Sequence, residues 1–197
     1  MNLRADLRAA VVAVVLTTAV LGLAYPLAMT GVAQTFFNGR ADGSLVRENG
    51  RVAGSRLIGQ DFKGLTRYFQ SRPSQTASNA TATGFANRGP NQRSTAALAG
   101  QRLRAYLARE RPYSPGLRAA AVPVSAVTSS ASGVDPHISP ADARIQARRV
   151  AHVRRLPLAD VLAAVRDATD ETLGGLVGDA GVNVLELNLA LDRGAAR

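Results

Sequence analysis

His137 and His152 are the only imidazoles in a chain of 197 residues that contains no cysteine. The missing thiols exclude disulfides, thiolate nucleophiles and Cys-ligated zinc. Neither histidine stands at the carboxylate or histidine spacing of a zinc site, so no metal-ligating residue is assigned. In Asp135-Pro136-His137 the imidazole could pair with a carboxylate, but a histidine bonded within a turn is the commoner arrangement. No residue is therefore assigned as catalytic. A Walker A loop, the aspartyl-phosphate motif of a P-type ATPase and a G-x-S-x-G elbow are all missing, so the chain by itself does not read as an enzyme. Asp61, Asp135 and Asp142 could attract a cation, and nothing in their spacing singles one out.

The densest run of small polar residues is Val127 to Ser139, reading VTSSASGVDPHIS. Hydroxyls and amides ahead of a helix can cradle an anion. Serine, glycine, aspartate and proline also supply the geometry of a tight strand-to-helix connection, and this is the favoured reading of the segment.

The elements that would position these residues begin with a membrane segment. No charged side chain occurs from Ala9 to Gly39, and residues 10–32 exceed the roughly 20 apolar residues needed to cross a hydrocarbon core. A spanning helix is expected from Ala10 to Val32, with a kink near Tyr25-Pro26. Thr17, Gly22 and their small neighbours would admit another helix. Arg4 and Arg8, opposed by Asp6 alone, place residues 1–9 in the cytoplasm and 33–197 outside it. A cleaved signal peptide is disfavoured by the length of the apolar run. The net charge of +10 rests on scattered arginines, with Lys63 the only lysine, and no basic cluster interleaved with aromatics supports nucleic-acid binding.

Beyond the anchor, Asn49-Gly50 predicts a hairpin between short strands. Residues 71–93 read as a long polar loop, whose alternative use is to hold a ligand for a membrane-anchored extracytoplasmic binding module. A helix is expected over Ser94 to Arg111, a strand over Ala120 to Thr128, and a helix start at Ser139-Pro140 with Ser139 as cap. A further helix should run from Leu158 to Thr169. Alternating leucines from Val184 to Leu191 predict a closing strand. The fold class expected is α+β, a single transmembrane helix followed by one soluble mixed domain.

Several short motifs together resemble the C subunit of the Kdp-type potassium-transporting ATPases. They are Tyr25-Pro26-Leu27 with Thr30-Gly31 and Gln34, Gly54-Ser55-Arg56-Leu57-Ile58-Gly59-Gln60, Tyr68-Phe69-Gln70-Ser71-Arg72-Pro73-Ser74, Gly89-Pro90-Asn91, the Ser130 to Ser139 segment, and Val182-Asn183-Val184-Leu185-Glu186-Leu187-Asn188. The resemblance implies a non-catalytic subunit of a bacterial inner-membrane pump. Its partners would be a channel-like potassium-binding subunit and an ATP-hydrolysing P-type subunit. It further implies a catalytic-chaperone role that raises the nucleotide affinity of the ATP-hydrolysing subunit, carried here by Ser130, Ser132, Gly133 and Asp135. ATP would then be met through the partner and not as a firmly bound cofactor. The topology opposes contact between an outside domain and cytoplasmic ATP. It favours instead a domain that covers and braces the potassium entrance. The loop from Gln75 to Asn87 and the stretch Ala86 to Pro90 depart from the family's pattern, and no role is carried onto them.

Overall fold

A run of exposed apolar side chains defines the first element. The computed structural model describes residues 2–79, 81, 83–84, 87–89, 91–170 and 178–195. Leu3–Phe36 is one continuous helical run of 34 residues whose most apolar 18-residue window has mean hydropathy 2.2 and is not buried. At 1.5 Å per residue it extends about 50 Å, more than the thickness of a bilayer with its headgroups. It comprises α1 (Leu3–Thr17), a π-helical segment (Thr18–Ala24) and α2 (Tyr25–Phe36). Ala10, Thr17, Gly22, Tyr25, Pro26 and Val32 all fall within it.

The π segment ends at the proline for a physical reason. Pro26 has no N–H for the carbonyl four residues back, and its ring would crowd that carbonyl. Widening the preceding turn, so that the Tyr25 N–H donates to the Val20 carbonyl five residues back, shifts the register around the gap. Thr17 hides its hydroxyl by donating to the Ala13 carbonyl at 2.8 Å. After a short turn of helix, α3 (Asn38–Ala41), this unit ends at Val46, and a second unit runs from Arg47 to Arg197.

The expected hairpin is formed by β1 (Leu45–Glu48) and β2 (Arg51–Ser55). Asn49 and Gly50 between them both take positive φ, as the tightest hairpin turns require. No described residue from 71 to 92 is in a helix or strand. Ala86 and Pro90 of that stretch lie outside the described residues. Helix α4 (Arg93–Glu110) follows, and Pro112 in the next turn stops it.

The segment Ala120 to Thr128 is not a strand. It forms two 3₁₀ turns, Ala119–Ala121 and Val124–Ala126, closed by local bonds such as Ala126 N–H to the Pro123 carbonyl at 3.0 Å. Pro123 cannot donate to a ladder, and the small alanines do not fill a sheet face, so local bonding wins.

A three-stranded antiparallel sheet is ordered β3 (His137–Ile138), β5 (Gly181–Asn183), β4 (Thr169–Asp170), with His137 opposite Asn183 and Asp170 opposite Gly181. Between β3 and β4 lie α5 (Pro140–Arg154), capped by the Ser139 hydroxyl accepting from the Asp142 N–H, and α6 (Leu158–Asp167). The final element, α7 (Val184–Ala195), replaces the expected strand. The alternating leucines suggest period two, yet the buried set Val184, Leu185, Leu187, Asn188 and Leu191 includes positions three and four apart on one helical face, while Leu189 is only half-buried. Leucine is itself a strong helix former. Asn183 starts the helix by accepting from the Glu186 N–H at 3.2 Å, and the pattern Asn183-x-x-Glu186 is a start signal that sequence reading passed over.

The core joins Ala143, Ala147 and Val150 of α5 to Val161 and Val165 of α6, Leu187 and Leu191 of α7, Val182 of β5, Ile138 of β3, and Phe69. A strand would make Leu187 and Leu189 equivalent, whereas the helix buries Leu187 fully and leaves Leu189 half-buried. Leu187→Ala should therefore destabilise the purified chain by about 2–5 kcal/mol and Leu189→Ala by clearly less, as read from urea unfolding midpoints.

Candidate functional site

The motif Tyr68 to Ser74 runs through the domain interior without strand partners, so its buried backbone groups need side-chain ones. Two carboxamides supply them. Asn188 Oδ1 accepts from the Phe69 N–H at 2.8 Å, and its Nδ2 donates to the Phe69 carbonyl at 3.0 Å. Gln146 does the same for Gln70, its Oε1 accepting from the N–H at 2.8 Å and its Nε2 donating to the carbonyl at 3.1 Å. The Gln70 side chain reaches in turn to the Phe62 carbonyl at 2.6 Å.

Beneath lies an ion pair with both side chains fully buried. Arg149 Nε donates to the two Glu110 oxygens at 3.0 and 3.2 Å. Its remaining nitrogens donate to the carbonyls of Thr66 and Tyr68 and to Gln146 Oε1. Burial pulls the Arg149 pKa down, and Glu110 opposes that. Above the pair, Tyr106 donates to Asp142 Oδ1 at 2.5 Å, and burial pushes up both the phenol and the Asp142 carboxyl. Asp142 is thus occupied within the core, and Asp61 holds the Lys63 N–H in a surface turn.

The serine-rich segment packs against the start of the polar loop. Ser130, buried, has its N–H on the Pro73 carbonyl at 2.9 Å, and its hydroxyl accepts from the Gly133 N–H at 3.2 Å. The hydroxyl of Ser132, an exposed residue, accepts from the Val134 N–H, and its carbonyl accepts from Gly84 N–H. Gly133 takes φ +76°, and its carbonyl accepts from the Ser74 hydroxyl at 2.6 Å. A Cβ there would stand 2.8 Å from the Gly84 carbonyl oxygen, so both conformation and space require glycine. Gly59 is bound to the same segment by its N–H on the Val134 carbonyl at 2.7 Å, and a Cβ at that position would collide with the Asp135 carbonyl. The arrangement closes a clasp among Gly59, Pro73, Ser74, Gly84 and residues 130–135. It turns the hydroxyls of Ser130 and Ser132 onto neighbouring backbone.

Asp135 joins the clasp to the sheet. It pairs with Arg72 at 2.9 Å, accepts from the His137 N–H at 3.0 Å, and lies 3.7 Å from His137 Nδ1. Burial would raise its pKa, but the bonds from His137 and Arg72 prevail and hold it at about 2. His137 lies on a short strand and does pair with carboxylates, its Nε2 3.4 Å from Asp170. The Asp135 bond, opposed by burial and assisted by Asp170, raises its pKa. A polar cleft of about 440 Å³ opens beside this chain of charges and is edged by Asp179. Of the four residues singled out for nucleotide, Ser130, Ser132 and Gly133 come together in the clasp, and Asp135 faces Arg72 and His137 beside it.

Comparison with known proteins identifies what these motifs belong to. Residues 7–193 match the family described as KdpC: K+-transporting ATPase, c chain. The chain belongs to the KdpC family. It is similar to the potassium-transporting ATPase KdpC subunits of Variovorax paradoxus, 50% identical over 193 residues that cover 96% of this chain and 97% of that protein, and of Bradyrhizobium diazoefficiens, 43% identical with 98% of each covered. That of Caulobacter vibrioides is 47% identical over 94% of this chain and 92% of its own length. Several of the motifs that carried the resemblance to KdpC hold one another in the folded domain, through Gly59, Phe69 and Gln70, Gly133, Asn183 and Asn188.

Glu110, Arg149 and Gln146 carry no signal in sequence, because they look like ordinary helix-surface residues. Only Asn188 stood in a motif that had been singled out. Glu110→Gln should cost about 3–5 kcal/mol by leaving Arg149 buried and uncompensated, whereas Glu110→Leu combined with Arg149→Met should cost less than the single change, as urea unfolding will read. The raised pKa of His137 means that its pairing stabilises the fold fully below its ordinary value of 6.5 and is lost as pH rises past its folded value. The depressed pKa of Asp135 acts from the other side, its contribution being lost as pH falls from about 4 toward about 2. The difference in thermal midpoint between wild type and His137→Gln should accordingly be larger at pH 5.5 than at pH 8.5, a comparison made by pH-resolved calorimetry.

Proposed function

We propose that this chain is the non-catalytic accessory subunit of an ATP-driven, high-affinity potassium uptake pump. In this reading it is fixed in the bacterial inner membrane by Leu3–Phe36, with residues 1–9 cytoplasmic and the folded domain outside. The observation that carries the proposal is the 34-residue helix, its apolar window unburied among the described residues, in a chain that belongs to the K+-transporting ATPase c-chain family. Such a helix needs lipid or the helices of other subunits around it. Arg4 and Arg8 support the orientation. The partners are the channel-like potassium-binding subunit and the ATP-hydrolysing subunit of the same pump.

The clasp bears on how nucleotide would be affected. The hydroxyls of Ser130 and Ser132 are engaged within the domain, which supports a structural role for them. Nucleotide stays with the ATP-hydrolysing subunit, and this chain alters its affinity by holding the complex in a competent arrangement. The domain does so by covering and bracing the potassium entrance.

Deleting the gene should abolish growth at micromolar potassium. The tagged chain should co-purify from detergent-solubilised membranes with the two other subunits in fixed ratio. Undiminished growth, or recovery of this chain alone from cells that make the other subunits, rules the proposal out. Ser130→Ala should lower the unfolding free energy by about 1–3 kcal/mol, because the buried Gly133 N–H loses its acceptor. In pump that still assembles, that variant should leave the nucleotide affinity unchanged; a selective fall in affinity at wild-type stability would instead assign the serine a direct part.

A further inference from the structure

Arg102 of α4 is a guanidinium drawn partly out of water without a counter-ion. Its side chain is half-buried, and among the described residues only Nη1 is bonded, to the Val127 carbonyl at 3.3 Å and the Ser129 hydroxyl at 2.9 Å. Both partners are neutral. Burial, and then the charge of Arg88, pull its pKa down. An exposed arginine is solvated and needs no partner, whereas a desolvated one is costly until an anion meets it.

Arg102 lines a cleft of about 250 Å³ between α4, α5 and the stretch Gln70 to Ser74, and Lys63 and Arg109 line it too. The Lys63 ammonium has no bond among the described residues. Arg109 has Glu110 at 2.7 Å, but that carboxylate already serves the fully buried Arg149. One acid therefore answers two guanidinia, and the charge of Arg109 works against that of Arg149. The one carboxylate in the cleft wall is Asp142, whose Oδ1 is taken by Tyr106 and Gln146 and which burial drives toward its neutral form.

The balance of charge indicates the ligand. With Arg149, which is bonded to the wall residue Gln146, four cations stand against the two carboxylates Glu110 and Asp142. A phosphate or phosphomonoester brings close to two negative charges near neutral pH, on oxygens that match arginine forks and an ammonium. A chloride or a carboxylate brings one and leaves part of the excess in place.

We infer that this cleft binds a phosphate group, held by Lys63, Arg102 and Arg109. The bound group ties α4 to the chain that enters the buried segment, because Lys63 precedes Tyr68 to Gln70 and both arginines lie on the helix. Free phosphate and the phosphomonoester headgroup of a lipid present the same chemistry to these residues.

The site lies within this chain, so purified full chain in a non-ionic detergent is sufficient for the test. Titration calorimetry with inorganic phosphate at constant ionic strength should show one saturable site. Lys63→Gln and Arg102→Gln should each weaken it on the order of tenfold, the loss of one charge-assisted bond. Arg104→Gln, on an exposed arginine of α4 outside the cleft, should bind as wild type does. Arg102 also holds the Val127 carbonyl, so Lys63→Gln, which has no bond to lose, decides the matter should Arg102→Gln fail to fold. Saturation by micelles doped with phosphatidic acid and not by inorganic phosphate, with the same dependence on Lys63, assigns the site to a lipid headgroup. Heat that saturates with neither probe overturns the inference, since phosphate also acts on protein surfaces generally. Saturable binding that Lys63→Gln leaves at wild-type strength overturns it as well.

Discussion

The folded domain depends on how it satisfies a buried extended segment that has no strand beside it. Tyr68 to Gln70 crosses the interior, and each buried N–H and C=O there would cost more than a typical hydrogen bond returns if it were left unmade. Asn188 from α7 and Gln146 from α5 each close a two-bond ring on one residue of that segment. Arg149 then ties the Thr66 and Tyr68 carbonyls to Glu110 at the end of α4. Three helices distant in sequence are thus registered on one stretch of backbone.

This polar interior explains how a domain with two small sheets holds a defined arrangement. The apolar cluster around Val150, Val161 and Leu187 supplies non-directional cohesion. The carboxamides and the buried ion pair are directional and tolerate little displacement, so they fix the relative placement of α4, α5 and α7. The same logic continues into the clasp, where Gly59 and Gly133 allow backbones to approach closer than any side chain would permit. The serine-rich segment, which in isolation suggested an anion cradle, has its hydroxyls turned onto protein backbone by that closure.

The two units differ in what their side chains face within the chain. The apolar helix uses all its backbone bonds internally, passes Pro26 by a change of helical register, and leaves its side chains to lipid or other helices. The second unit gives its buried charges partners, Arg149 on Glu110 and Asp142 bonded to Tyr106 and Gln146. An accessory subunit of an ATP-driven membrane pump needs both properties, a segment that belongs to the bilayer and a folded body that presents a recognisable surface.

Composition and local spacing determined what depends on neighbouring residues alone. The long N-terminal helix follows from an uninterrupted apolar run, the hairpin from Asn49-Gly50, the start of α5 from Ser139-Pro140, and α4 and α6 from helical periodicity; the combined motifs carried the family. Tertiary structure decided whatever depends on a partner far along the chain. Leu185 to Leu191 alternates as a strand would, but the Asn183 cap and a helical buried set make it α7. Residues 120–128 look apolar enough for a strand, but Pro123 and the lack of a ladder leave only local turns. The pairing of Glu110 with Arg149, and of Gln146 with the Gln70 backbone, has no local signature, because a polar residue on a helix looks the same in sequence whether the surface it faces is water or another part of its own chain.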